Sequence, residues 1–361
     1  MKQEKNDDLI PLSDISESGK EKPWKEKKLA NVILKEIYRT LYEDRENSSY
    51  NKKASRLDKC GVRLYYNVFK GFKENKEGLL EEKVYEKLKT MESCRVRLCP
   101  LCAWRRARKI HSHVRKIIDA VEKEKEYAYL MLTLTVPNCK SYELSDCLDK
   151  LLDGIHSLMK YKRVKSAVKG WYRGLEITHN VNTESKSYDT YHPHFHMILA
   201  VDKSYFTDQS RNGYIPHGEW LGLWQKAMKD PTITQVNIKR VTPDKSKGQT
   251  VIGAVCEVTK YTVKESDYVL PYDWDLSCDA VATLDFALNN RRLVAFGGIM
   301  KKWHKKLNLD DEVDGDLIHD DDSSVGDELI GVNCYVWNVG YQQYFLFDEK
   351  NGVYEKKSKR I

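Results

Sequence analysis

Five residues, His192-Pro193-His194-Phe195-His196, restrict what this chain can fold into more than any other stretch. They run into Met197-Ile198-Leu199-Ala200, an apolar segment that reads as the inner part of a β-strand. Alternate residues of a strand point to the same face, about 7 Å apart at the backbone. His194 and His196 therefore share one face, and Phe195 points into the opposite, packed one. Two imidazoles placed in this way can converge on a metal ion. Three of the ten histidines fall within these five positions, a concentration that favours ligation over scattered polar residues. A metal that works on phosphates also takes an oxygen ligand. Glu176, in Gly174-Leu175-Glu176-Ile177-Thr178, faces away from Leu175 and Ile177 on a preceding strand. It is one candidate for the third ligand. His192 is the other, with Pro193 expected to hold it outside the strand proper.

The surrounding pattern supplies a fold for that strand. Residues 127–136 (YAYLMLTLTV) read as a buried strand ended by Pro137. Leu144, Leu148, Leu151, Leu152, Ile155, Leu158 and Met159 fall on one face of a helix. Residues 171–178 form a second strand, and a polar hairpin loop, 180–190, joins it to the histidine strand, 194–201. Trp220, Leu223, Trp224 and Ala227 have helical spacing within 219–228, and 235–241 alternates as a strand. The order β-α-β-β-α-β is the split βαβ, ferredoxin-like plan, an α+β fold with a central antiparallel sheet. The first and third strands should lie side by side at its centre. One face should carry the two crossover helices and leave the other for a site.

Residues 251–268 read as one further helix. On it Glu257, Tyr261, Lys264 and Tyr268 stand at i, i+4, i+7 and i+11 and share a face, while Val251, Val255, Val258 and Thr262 form an apolar face for the sheet. With a pKa near 10, only about one tyrosine in a thousand is ionised at neutral pH. A tyrosine nucleophile therefore needs a nearby cation or base, or a metal that polarises the phosphate it attacks. Lys264 can favour the phenolate or neutralise a phosphate. Glu257 can take a proton from Tyr261, or from a water or a substrate hydroxyl in a later step. Tyr268 is the second candidate nucleophile.

Three segments, in this order, carry a resemblance: Leu132-Thr133-Leu134-Thr135-Val136-Pro137-Asn138, the histidine strand with residues 174–178 upstream, and Glu257-Val258-Thr259-Lys260-Tyr261-Thr262-Val263-Lys264-Glu265-Ser266-Asp267. Over about residues 55–275 the chain resembles the His-hydrophobe-His (HUH) endonucleases. Within them it is most similar to the replication initiators (Rep) of small rolling-circle plasmids from Gram-positive bacteria. The resemblance implies an HUH nickase fold and an enzyme that acts on a single-stranded segment of the plasmid's double-strand origin. Tyr261 would attack a backbone phosphate, leaving a 5′-phosphotyrosine link and a 3′-OH for a polymerase. Mg²⁺ or Mn²⁺ held by His194, His196 and Glu176 would polarise that phosphate. Glu257 would activate water for the terminating cleavage. Thr133 and Thr135, in the first segment, share a face beside the histidines but read as ordinary β-branched strand residues. Asn138 either contacts DNA or caps the turn after Pro137.

Cys94-x₄-Cys99-x₂-Cys102, with Pro100 inside it, has the spacing of a structural zinc site, which needs a fourth ligand. Cys60, followed by Gly61, is preferred because the family also carries an upstream Cys-Gly; His111 and His113 are the alternatives. Nine cysteines, an odd count, with three crowded together favour metal ligation in a reducing compartment over disulfides. Trp104 is followed by Arg105, Arg106, Arg108, Lys109, His111, Arg115 and Lys116. This basic, helical segment is expected to contact origin phosphates.

The chain divides into an expected flexible, loose N-terminal region with one helix (1–50), a zinc-binding cysteine module with the basic helix (51–118), the endonuclease domain (119–275) and a C-terminal region of helix and aromatic strand with an acidic loop (276–361). A net charge of +7 suits an anionic partner, the more so because acids cluster between Asp310 and Glu328. No apolar run approaches the roughly 18 to 20 residues of a membrane span, and the N-terminus lacks the apolar core of a signal peptide. A cytoplasmic protein with no membrane partner is expected. Its partners would be origin DNA, a host helicase and polymerase, and another copy of itself. A mobilisation relaxase or a single-tyrosine transposase would share the chemistry. A relaxase, however, keeps its tyrosine before the histidines, and such a transposase is shorter. A non-enzymatic zinc-containing DNA-binding regulator would leave both the histidine strand and the tyrosine helix without a role.

Overall fold

The alternation in residues 127–136 makes a strand, and the expected partners assemble around it. The computed structural model describes residues 8–16, 19–74, 80–207, 213–243, 250–256, 264–310, 315, 317–318 and 327–357. In chain order the elements are α1 (Trp24–Arg45), α2 (Ser48–Lys59), β1 (Arg63–Glu74), β2 (Leu80–Met91), α3 (Pro100–Glu124), β3 (Ala128–Thr135), α4 (Leu144–Lys160), α5 (Lys162–Ala167) and β4 (Val168–Asn180). They continue as β5 (Thr190–Val201), α6 (His217–Met228), β6 (Val236–Arg240), α7 (Val251–Cys256), α8 (Trp274–Ala287), β7 (Val294–Gly297), α9 (Gly298–Lys306), β8 (Glu328–Asn338), β9 (Gln343–Asp348) and β10 (Val353–Tyr354). Two compact units result: Met1–Arg105 with Asp316–Ile361, and Arg106–Gly315.

The second unit is built on a sheet of order β6-β3-β5-β4-β7, with every neighbouring pair antiparallel. Strands β3 and β5 lie side by side at its centre, as the split βαβ plan requires. One face is closed: Leu132, Leu134, Leu175, Ile177, Phe195, Met197 and Leu199 are all buried. Helix α4 buries Leu144, Leu148, Leu151, Ile155 and Leu158, spaced at helical intervals. Trp224 of α6 donates its indole N–H to the carbonyl of Thr135 at 2.8 Å and fastens α6 to β3. Each such aliphatic or aromatic side chain contributes about 1.5–3 kcal/mol when fully buried.

Two expected helices differ in this unit. The spacing over 291–307 predicts a helix, but the chain forms edge strand β7 against Trp171–Gly174 of β4 and only then α9. Gly298 causes the switch. It sits at φ +55, and a Cβ there would lie 2.2 Å from the carbonyl oxygen of Lys169. Of the helix expected over 251–268, Val251–Cys256 is helical, while residues 257–263, with Glu257 and Tyr261, lie outside the described residues. At Lys264 the backbone is extended, and Glu265–Asp267 form a 3₁₀ turn. The Asp267 carboxylate accepts from the Lys264 N–H at 3.1 Å, and the Asp267 N–H donates to the Lys264 carbonyl at 2.9 Å. This local turn competes with helix. Lys264 and Tyr268 therefore do not share a helical face: Lys264 is exposed and Tyr268 is buried.

The first unit departs from the expected four consecutive segments. Its sheet has the order β10-β9-β8-β1-β2, so the aromatic C-terminal strands pair with a hairpin that follows Cys60. Helix α1 packs a stripe of Trp24, Asn31, Leu34, Ile37, Tyr38 and Leu41. The segment before it is anchored rather than loose. The Asp14 carboxylate accepts from the Trp24 indole and the Tyr66 hydroxyl, both at 2.8 Å. Among the described residues no helix is long and apolar enough to cross a membrane.

Candidate functional site

Sheet register assembles the site on the face of the second unit's sheet opposite the closed one, where the side chains of Glu176, His194 and His196 are 12%, 10% and 13% exposed. Glu176 lies opposite His194, and Thr133 lies opposite His196. Glu176 Oε2 is 2.9 Å from His196 Nε2 and 3.6 Å from His194 Nε2. The three ligand atoms all lie within 4.8 Å of one another. His194 Nδ1 is 3.1 Å from the carbonyl oxygen of His192, which can only accept, so that nitrogen carries the proton. His196 Nδ1 is 3.2 Å from Thr133 Oγ1 and can donate to it. Both Nε2 atoms are then left with a bare lone pair. Glu176 Oε2 is itself buried without a hydrogen-bond partner. Three acceptors facing one another repel unless a cation or a proton sits among them, so this donor set fits a divalent ion. Burial acts to push the Glu176 carboxyl up, and a proton on the imidazoles outweighs it and holds the group well below the usual carboxylate range, the place a cation would take.

His192 does not join the group. Contrary to expectation it lies within β5, opposite Thr178, and its ring stacks on His194 with centroids 5.1 Å apart. Pro193 is tolerated because the β3 pairing stops at His194, which makes β5 an edge on that side. His192 acts on the cluster through its carbonyl. Gly174, opposite His196, keeps the floor open; a Cβ there would come 2.9 Å from the Tyr172 hydroxyl.

Three further residues were not legible as parts of the site. Thr133 looked like ordinary strand material, yet it buttresses His196. His179, at the far end of β4, lies flat on Tyr191 with ring centroids 4.4 Å apart. Its Nδ1 is 3.0 Å from the Asp267 carbonyl oxygen and its Nε2 is 3.0 Å from Asp189 Oδ1. It thus ties the turn after Lys264 to the strand that carries Glu176. Burial pushes the Asp267 carboxyl up. Asn237, exposed on edge strand β6, pairs with Thr133 and faces the same way. The available signal was the alternation of these strands, which sorts faces without saying which polar residue touches which.

A second cluster lies in the first unit. Cys60, Cys94, Cys99 and Cys102 are buried with their sulfurs within 4.8 Å of one another. Cys60 Sγ is 3.7 Å from the sulfurs of both Cys99 and Cys102. Gly61 permits this approach. Its φ is +60, a Cβ would lie 2.7 Å from Leu101 Cδ1, and its carbonyl accepts from the Tyr344 hydroxyl at 2.6 Å. Cys60 thus fills the fourth position in the group; His113 instead lies 3.3 Å from the carboxylate of Asp310. Burial pushes the Cys99 thiol up, whereas bonds from Cys60, Cys94 and Cys99 push Cys102 down. Sulfur ligands in a closed tetrad fit a structural divalent ion. Burial pushes the neighbouring Lys28 ammonium down, and charge on Cys60 and Cys99 acts the other way.

The basic segment divides. Arg105, Arg106 and Lys109 are 2%, 5% and 4% exposed, which corrects their expected place on a DNA-facing surface. Arg105 donates to the carbonyls of Leu317 and Ile318, and Lys109 pairs with Asp310. Arg108 is half-buried, while His111, Arg115 and Lys116 are exposed.

Residues 85–345 match the family model described as replication protein. A protein named "Protein rep" from Bacillus amyloliquefaciens is 37% identical over 94% of this chain and 98% of its own length. One of that name from Lentilactobacillus hilgardii is 34% identical over 93% and 98%, and one from Streptococcus pneumoniae is 30% identical over 96% and 98%. No solved structure matches the chain.

Proposed function

The chain belongs to the replication protein family, and from that premise we propose that it initiates rolling-circle replication of a plasmid by nicking one strand of the double-strand origin. The observation that carries this reading is the convergence of Glu176, His194 and His196 from two paired strands. Mg²⁺ or Mn²⁺ held by those three would polarise the scissile phosphate. The His192 carbonyl holds His194 in the ligating tautomer, and Thr133 can hold His196 there by accepting from its Nδ1.

Tyr261 is the nucleophile. Its phenolic oxygen bonds to the phosphorus, the P–O3′ bond breaks, and a 5′-phosphotyrosine and a 3′-OH result. The tyrosine proton passes to a base, and the 3′ oxygen gains one. Lys264, exposed beside the turn tied to His179, neutralises phosphate charge. Glu257 takes a proton from water in the terminating cleavage. The cysteine tetrad holds structural Zn²⁺. Arg108, His111, Arg115 and Lys116 contact origin phosphates in the cytoplasm, where a host helicase and polymerase extend the free end and a second copy can assist.

A supercoiled plasmid carrying its own origin tests the reading. Nicked circles should form only with Mg²⁺ or Mn²⁺ present and should fall to background in His196→Ala. Nicking that survives either change would overturn it. Glu257→Ala should still nick but release little circular product; normal release would remove its role.

A further inference from the structure

Helix α1 buries three polar side chains, Lys27, Lys28 and Asn31, and the last two lie deepest. Lys28 is 3% exposed and Asn31 is 1% exposed. Asn31 Nδ2 donates to Cys99 Sγ at 3.4 Å. The Lys28 ammonium donates to Asn31 Oδ1 at 3.1 Å and to the carbonyl of Cys60. Both of its acceptors are neutral, and Asp58, which acts on it through charge, is itself bonded to Lys35 instead. A buried cation with no counter-charge in direct contact is unfavourable. An amide N–H aimed at a neutral thiol gains little, because thiol sulfur is a weak acceptor. Leucine or methionine would fill both positions at lower cost. Both choices make sense when the sulfurs are thiolates around a divalent ion. Four thiolates with one divalent cation keep two negative charges in a closed pocket, and N–H groups aimed at thiolate are stronger bonds.

We propose that Lys28 and Asn31 are positioning residues for a metal–thiolate centre at Cys60, Cys94, Cys99 and Cys102, and that α1 docks on that centre only when the metal is bound. Asn31 holds the Cys99 thiolate through N–H···S, and Lys28 supplies counter-charge while fixing Asn31 and the Cys60 backbone. The inference rests on reading the cysteine tetrad as a metal site. It does not depend on the chemistry assigned to Tyr261.

The test uses the full-length chain loaded with Zn²⁺, and separately with Co²⁺ as a spectroscopic probe. Chelator competition gives the apparent affinity. Asn31→Leu and Lys28→Met should each lower it about tenfold or more, and Asn31→Leu should shift the sulfur-to-cobalt charge-transfer band. Lys28→Arg should restore much of the affinity. Lys35→Met removes a charge from the same helix, one already paired with Glu36 and Asp58, and should change nothing. Equal affinities in the wild type, Asn31→Leu and Lys28→Met overturn the positioning role alone. A wild-type chain that takes up neither ion overturns the centre and the role together. Hydrogen exchange on the wild type covers the case in which a variant misfolds. Chelation should speed exchange of the α1 amides, and unchanged protection would overturn metal-dependent docking.

Discussion

At the scale of single residues, the chemistry depends on which ring nitrogen carries a proton. His194 and His196 can bind a cation through Nε2 only if Nδ1 holds the hydrogen, and each has a partner that can keep it there. Thr133→Val removes the hydroxyl at nearly constant shape. Outer-sphere losses of this kind lower metal affinity about 10-fold or more, so Mn²⁺ titration of the variant should show that weakening, with the fold intact. An unchanged affinity would mean that Thr133 is only strand material. The histidine pair was legible because alternation on a strand fixes two side chains on one face. Glu176 was legible as a candidate, since Leu175 and Ile177 face the other way. The buttressing by Thr133 was not, because it depends on cross-strand register, which no local pattern contains.

Elements reveal where periodicity misleads. A run of bases such as Arg105, Arg106, Arg108 and Lys109 winds around a helix within one turn, so some must point inward. In α3 Arg105, Arg106 and Lys109 are buried, and the outward positions are His111, Arg115 and Lys116. Arg115→Ala and Lys116→Ala should therefore weaken origin binding evenly across sequences. Each should reduce the slope of log affinity against log salt by about 1, as fluorescence anisotropy at several salt concentrations would read. Arg105→Ala should instead lower the thermal midpoint, because the carbonyls of Leu317 and Ile318 lose their donor. A salt slope unaltered by both outward substitutions would remove α3 from the DNA interface. The same limit explains β7. Apolar residues in 291–307 fit helical spacing, and only the positive φ required at Gly298 separates strand from helix.

Across the whole molecule, the β-α-β-β-α-β core was legible because each of its strands and helices is defined by its own local pattern. The first unit was not. Its sheet joins β8 to β1 across more than two hundred residues, and such long-range pairing leaves no signature within either segment. The cysteine tetrad was the exception, since the spacing of its ligands is itself a local pattern. We propose that the second unit cuts DNA with Tyr261 as the nucleophile and a metal ion held by Glu176, His194 and His196. The most direct measurement incubates the chain with a radiolabelled origin single strand and Mn²⁺, then resolves the products on a denaturing gel and maps the labelled peptide. The account predicts a covalent protein–DNA adduct on Tyr261, absent in Tyr261→Phe. An adduct that persists in Tyr261→Phe, or cleavage with no adduct at all, would contradict it.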